Sequence, residues 1–101
     1  MEDYSPFGPF APWNDWAEDI DEIIIKNGVT NIGEYAFVSH SSLKYIEIPK
    51  SVTVIGISAF ESCDTLYEVY YGGTEFDRAN ISVESGNKKL TEVTWNYSEL
   101  A

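Results

Sequence analysis

Apolar and polar residues alternate in four short segments of the chain. The alternation has a period of two and is rich in β-branched residues, so it predicts short strands with one face turned toward a core. Turn-forming residues such as Asn27-Gly28 and Pro49-Lys50 follow the first two segments. The predicted inward sets are Ile20-Ile23-Ile25, Leu43-Ile46-Ile48, Leu66-Val69-Tyr71 and Leu90-Val93-Trp95.

The first two segments open two near-copies of one longer unit. IDEIIIKNGVTNIGEYAFVSHSS and LKYIEIPKSVTVIGISAFESCDT lie 23 residues apart and share nine residues, where ordinary composition gives about one or two. The shared residues are mostly apolar, so a packing unit repeats here and not a chemistry. The shared pairs are Ile23/Ile46, Ile25/Ile48, Val29/Val52, Thr30/Thr53, Ile32/Ile55, Gly33/Gly56, Ala36/Ala59, Phe37/Phe60 and Ser39/Ser62.

Each unit predicts one coil of a stack. After the first strand come a turn, a second extended piece and a glycine, Gly33 or Gly56, which suits a sharp bend or a close backbone approach. We expect residues 34–37 and 57–60 to form about one helical turn. Stacking the coils would place Phe37 over Phe60 and like aliphatic residues over one another.

The string Val-Thr-x-Ile-Gly-x-x-Ala-Phe, present twice at a spacing of 23 residues, resembles the BspA-type leucine-rich repeat. The resemblance implies a solenoid that is mostly β with some α: a short right-handed stack of coils with about four parallel strands and a cap at each end. It also implies a surface or secreted protein of gut or oral bacteria or some protists, used in adhesion and protein binding. The family has no catalytic residues to carry over.

Composition divides the single predicted domain into three zones. Residues 1–19 form an aromatic and proline-rich N-terminal cap, residues 20–65 the two repeats, and residues 66–101 a degenerate third unit with the C-terminal cap. The resemblance also implies a closing unit with a short helix near residues 75–80. We expect Phe76, Ile81 and Trp95 to cover the end of the stack.

The aromatic residues of the N-terminal zone allow two interpretations. In the first, Trp13, Trp16 and Phe10 fold over the first coil as a lid. In the second, part of this proline-spaced stripe is a ligand for another protein, which requires Tyr4 and Phe7 to be exposed.

Charge excludes several function classes. Seventeen acidic residues against six basic ones give a net charge of −11, so we expect no binding to nucleic acid or to anionic lipid. No apolar run reaches the roughly 20 residues that span a bilayer, and we expect no membrane insertion.

His40 and Cys63 hold equivalent places in consecutive coils and could pair as nucleophile and base or as half of a metal site. A role as turn residues is the simpler interpretation, and we expect no enzyme, metal or cofactor.

The strand residues that alternate with the core set predict an outward binding surface. It is acidic, carries two tyrosines and lacks basic residues, so it should prefer a cationic or host-surface protein partner. A solvated face without a partner is the competing interpretation. We expect a monomeric, non-catalytic binding or adhesion module. The resemblance implies that it is extracellular or at the cell surface. A spacer in a longer repeat array and a carbohydrate-binding module remain alternatives. The predicted binding residues are Glu22, Ile24, Tyr45, Glu47, Glu68, Tyr70 and Glu92.

Overall fold

The computed structural model describes residue 3, residue 13 and residues 16–98. Within them the strands form two parallel sheets, one with the order β1-β3-β5-β7 and one with the order β2-β4-β6. Neither helix of the described residues has the length and apolar character of a membrane span. The elements are β1 (Glu22–Ile24), β2 (Asn31–Ile32), β3 (Tyr45–Ile48), β4 (Val54–Ile55), β5 (Glu68–Tyr71), α1 (Glu75–Ala79), β6 (Ser82–Val83), α2 (Lys88–Glu92) and β7 (Thr94–Tyr97).

The strand registers confirm the predicted stack of coils. Ile23 pairs with Ile46 in the first sheet, and Ile32 pairs with Ile55 in the second. Both steps equal the 23-residue shift between the two repeats. The fold is therefore a short repeat solenoid in which each coil adds one strand to each sheet.

The third side of each coil differs from the prediction. Residues 34–39 and 57–62 form turns and not a helical turn, because Tyr35 and Ser39 and their equivalents Ser58 and Ser62 have φ angles of 52° to 61°. An α-helix needs a negative φ at every residue. These turns instead aim their amides at the next coil: the amides of Tyr35 and Phe37 donate to the carbonyls of Ile57 and Ala59 at 3.0 and 2.8 Å.

Gly56 meets the predicted need for a close backbone approach. A Cβ atom at this position would lie 2.7 Å from the backbone nitrogen of Glu34 in the preceding coil. Such a contact is well inside van der Waals distance, and the obstructing atom is backbone that has little freedom to move. Any side chain at residue 56 would push the two coils apart.

Like side chains meet inside the stack, as the repeat predicts. The rings of Phe37 and Phe60 stack with centroids 5.4 Å apart, and Ile25 and Ile48 are both buried. Burial of each large side chain contributes roughly 1.5–3 kcal/mol. The inner faces of the coils therefore form one continuous core.

The fourth strand has a different register from the predicted one. Val69 pairs with Trp95 and not with Val93. Leu90 lies in α2, where it is fully buried, and its carbonyl accepts a hydrogen bond of 2.9 Å from the Trp95 indole. A shift of two residues keeps the alternation of inward and outward positions within the strand, so the pattern of polar and apolar residues cannot distinguish the two registers.

Side chains close the N-terminal end of the stack. Trp13 stacks on Phe37 with ring centroids 5.3 Å apart, and its indole donates to the carbonyl of Ala36 at 2.6 Å. Trp16 is 58% exposed, so its predicted place in the lid is wrong. Its backbone amide donates to the carbonyl of Trp13 at 3.0 Å, whereas its ring lies mostly in solvent. Phe10, Tyr4 and Phe7 lie outside the described residues.

At the C-terminal end Ile81 and Trp95 are buried as predicted, whereas Phe76 is 72% exposed and does not cover the stack. Arg78 takes that place, because its guanidinium carbon lies 4.1 Å from the centroid of the Trp95 ring. The buried side chain of Asn87 substitutes for the next coil: it accepts from the amide of Phe60 at 2.9 Å and donates to the carbonyl of Gly56 at 2.8 Å.

Candidate functional site

The outward side of the first sheet carries six of the seven predicted binding residues in two rows. Partner residues on neighbouring strands stand side by side, so strand register alone brings them together. We call this surface the strand face. Its first row is Glu22, Tyr45, Glu68 and Thr94, and its second row is Ile24, Glu47, Tyr70 and Asn96.

Glu92 does not lie on the strand face, which corrects the prediction for this residue. It is the last residue of α2, and its carboxylate lies 3.7 Å from the Lys88 ammonium. The two-residue shift of the fourth strand places Thr94 and Asn96 at the outward positions instead. Asn96, which the sequence reasoning missed, donates from its amide to the Glu68 carboxylate at 2.9 Å.

Tyr45 and Tyr70 form an edge-to-face pair in the middle of the strand face. Their ring centroids are 5.8 Å apart and their planes stand at 89°, an arrangement that aromatic quadrupoles favour. The hydroxyl of Tyr45 donates to the carboxylate of Glu22. Both contacts hold the rings in place although Tyr70 is 42% exposed.

The pKa values of both phenols are raised above the ordinary value of 10. The hydrogen bond to Glu22 raises the pKa of Tyr45 to about 12, because ionisation would place two negative charges together. The pKa of Tyr70 is also raised, first by burial and then by the nearby charge of Glu68. The negative charge of the strand face therefore comes from its glutamates, and the tyrosine hydroxyls act as hydrogen-bond donors.

An open depression of about 600 Å³ lies over the tyrosine pair. Its described lining contains no lysine or arginine, and within the described part of the chain the Glu47 carboxylate makes neither an ion pair nor a hydrogen bond. Tyr67, which is 51% exposed, also lines this depression. The sequence reasoning missed Tyr67 because it falls between the core and outward positions, although a third tyrosine beside Glu68 was a visible signal. The lining residues are Glu22, Tyr45, Glu47, Tyr67, Tyr70 and Ser98.

A second depression of about 250 Å³ adjoins the first and has a different chemistry. Ile24 and Pro49 supply apolar surface to it. Glu47, Tyr70 and Ser98 line both depressions and form the wall between them. Acidic and apolar surfaces thus lie side by side on the strand face.

His40 and Cys63 lie in the core, where both contact Phe37. The thiol of Cys63 donates to the Phe37 carbonyl at 3.2 Å, and the His40 ring packs edge-on against the Phe37 ring at 5.5 Å. Burial raises the pKa of the Cys63 thiol to about 12 and lowers the pKa of His40. The thiolate is the nucleophilic and metal-binding form of cysteine, so this environment suits packing and not thiol chemistry. Among the described residues no group of three acidic, histidine or cysteine side chains is placed to hold a metal ion.

Comparison with known families agrees with the coil geometry. A family model, described as the BspA type leucine-rich repeat region (6 copies), matches residues 15–99. The chain belongs to the BspA-type leucine-rich repeat family. This family is typically surface-associated, and residues 15–99 of the chain carry its repeat. Comparisons with curated proteins and with solved structures gave no match.

Proposed function

We propose that this chain is a non-catalytic binding module of a cell-surface or secreted leucine-rich-repeat protein, and that its strand face contacts a basic region of another protein. One observation carries the proposal: the carboxylate of Glu47, which has no ion-pair or hydrogen-bond partner among the described residues, stands beside the edge-to-face pair of Tyr45 and Tyr70 in an open depression. The net charge of −11 adds long-range attraction for a cationic partner.

The tyrosine pair supports binding because it is already ordered. Interface residues that contribute most to affinity are large side chains that lose little freedom on binding, and tyrosine is among the commonest of them. Tyr45 is held by Glu22 and by Tyr70 before any partner arrives. A lysine or arginine side chain laid between the rings and Glu47 would gain a cation–π contact and a charge-assisted hydrogen bond together.

Two other functions compete with this proposal. A carbohydrate-binding module would use the same tyrosine hydroxyls and carboxylates to bind sugar hydroxyl groups. A spacer in a longer repeat array would use the acidic strand face only to stay hydrated. These functions differ from the proposal in the ligand they require, which makes them separable by one binding experiment.

The test is binding of labelled peptides with alternating lysine and serine, against matched peptides with glutamate in place of lysine. We expect only the lysine peptides to bind, more weakly at higher salt. Glu47→Gln, and Tyr45→Ala with Tyr70→Ala, should each weaken binding at least tenfold, or about 1.4 kcal/mol. Glu61→Gln is the matched control, because this exposed acid lies on the turn side of the coil.

Each outcome decides between the functions. Lysine-peptide affinity that survives in the Glu47 and tyrosine variants would move the site off the strand face. Binding on a glycan array that disappears in the tyrosine variants would favour the carbohydrate-binding module. Binding of neither peptides nor glycans would favour the spacer. Circular dichroism of each variant confirms that the fold is kept.

A further inference from the structure

The two depressions of the strand face have different linings, so together they suit a ligand with two chemically different parts. The first is lined by Tyr45, Tyr67 and the carboxylates of Glu22 and Glu47. The second is lined by Ile24, Ile48 and Pro49 and adds no acid beyond Glu47 among its described residues. A cationic group fits the first depression, and only an apolar group gains from the second.

The distance between the two parts follows from the strand geometry. Tyr45 and Glu47 are successive outward residues of β3, and Pro49 is the first residue after this strand. Two residues of a strand span roughly 6.6 Å. Tyr45 lines the first depression, Pro49 lines the second, and Glu47 lines both. The centres of the two depressions are therefore offset by about two residues along the strand direction.

An extended peptide supplies that spacing by itself. Side chains two residues apart on an extended chain point to the same side at roughly 6.6 Å, whereas adjacent side chains point to opposite sides. We infer that the strand face recognises an extended peptide segment in which a lysine or arginine and an aliphatic residue stand two positions apart. This inference rests on the proposed function and adds the second, apolar half of the ligand.

The surrounding surface supports a peptide as the occupant. The wall shared by the two depressions consists of Glu47, Tyr70 and Ser98, so a backbone crossing it would meet a carboxylate and hydroxyl groups that bind amides. Ile24 is 49% exposed in the free protein. Covering this side chain with an aliphatic residue removes apolar surface from water, which a sugar or a purely cationic ligand would leave exposed.

The probe is the peptide Gly-Ser-Lys-Ser-Ile-Ser-Gly, together with the reversed order Gly-Ser-Ile-Ser-Lys-Ser-Gly, since a peptide can run in either direction over the strands. Variants replace its lysine by glutamine or by arginine, or its isoleucine by serine. A spacing control, Gly-Ser-Ser-Lys-Ile-Ser-Gly, has the two residues adjacent. Binding is followed by nuclear magnetic resonance titration of the intact chain.

We expect one of the two orders to bind at least fivefold more tightly than the spacing control and than the isoleucine-to-serine peptide. The arginine peptide should bind as well as the lysine peptide within threefold. In the protein, Ile24→Ser should weaken the parent peptide at least fivefold and leave the isoleucine-to-serine peptide unchanged. Thr53→Ala, an exposed residue outside the strand face, is the control that should change neither.

The outcomes separate this inference from the proposed function. If lysine-to-glutamine abolishes binding while isoleucine-to-serine and the spacing control bind like the parent, the two-part ligand is wrong and the cation site stands. If none of these peptide changes matters, both proposals fail. The inference would also be overturned if Ile24→Ser weakened binding of the parent peptide and of the isoleucine-to-serine peptide equally. That result would show no contact between Ile24 and the isoleucine of the peptide.

Discussion

The two sides of the first sheet share one backbone but follow opposite rules. On the inner side apolar residues lie beside apolar residues, and between the two repeats they are identical, as in the pair Ile23 and Ile46. On the outer side unlike residues are neighbours, as where Tyr45 stands between Glu22 and Glu68. The inner side must repeat because each coil fills the same space above the previous one. The outer side has no such constraint, so its variation is available for recognition.

The largest expected effect lies on the inner side. Phe60→Ala should lower the free energy of unfolding by about 3–5 kcal/mol, because it removes the ring that stacks on Phe37 and leaves a cavity in the core. Glu47→Ala is the outer control and should stay within about 0.5 kcal/mol. Urea denaturation measures both variants. Equal stabilities of the two would show that ring stacking between coils does not hold the solenoid together.

A substitution at the C-terminal end of the stack should cause an intermediate loss of stability. Asn87→Ala should cost about 1–3 kcal/mol, because the amide of Phe60 and the carbonyl of Gly56 lose their buried partner. Asn80→Ala is the matched control, since the side chain of this exposed asparagine makes a single hydrogen bond among the described residues, to the Phe76 carbonyl. Thermal and urea unfolding compare the pair. If Asn87→Ala is as stable as the parent chain, the Phe60 amide and the Gly56 carbonyl do not depend on this side chain.

The core histidine should make stability depend on pH. Burial lowers the pKa of His40 below its unfolded value of 6.5, so the folded state binds fewer protons. Above pH 6.5 His40 is neutral in both states and does not lower the free energy of unfolding. Below pH 6.5 the free energy of unfolding falls as the pH drops toward the lowered pKa of the folded state. The loss has a limiting slope of about 1.4 kcal/mol per pH unit.

His40→Gln removes this titration, which makes it the comparison for the parent chain. Unfolding free energies between pH 8 and pH 5 should decline more steeply for the parent than for the variant. Carboxylate titration affects both chains alike and cancels in the difference. Parallel curves would indicate that His40 has the same pKa in the folded and unfolded states.

The smallest effect belongs to the outer side. Glu22→Gln should lower the pKa of Tyr45 from about 12 toward its ordinary value of 10, because the neighbouring negative charge is removed. Stability should change by less than about 0.5 kcal/mol. Resonance titration of labelled tyrosine measures the shift, with Glu84→Gln as the control. A Tyr45 pKa that does not move would show that the Glu22 contact is absent in solution.

Much of the architecture follows from the repeat in the sequence. The nine shared residues predicted that Ile25 and Ile48 are buried and that Phe37 stacks on Phe60, and the structure confirms both. The turns escaped prediction because serine and tyrosine at residues 35, 39, 58 and 62 carry no signal of a positive φ. Only contact with the next coil selects that conformation.

The candidate site was predicted where the repeat is strict and missed where it degenerates. Glu22, Tyr45 and Glu68 align because each coil repeats the strand. Glu92 was misplaced and Asn96 missed, because α2 takes up Leu90 and shifts the last strand by two residues. Trp16 and Phe76 were assigned to the caps on hydrophobicity, but exposed aromatic residues are common on protein surfaces.

By itself the sequence determined the coil, its 23-residue step and which strand residues point inward, because periodic apolar residues can be buried together in only a few ways. The tertiary structure decided which outward residues become neighbours, where the last strand lies, and that Glu47 and Tyr70 divide an acidic depression from an apolar one. Those features depend on contacts between coils, which local patterns of residues do not encode.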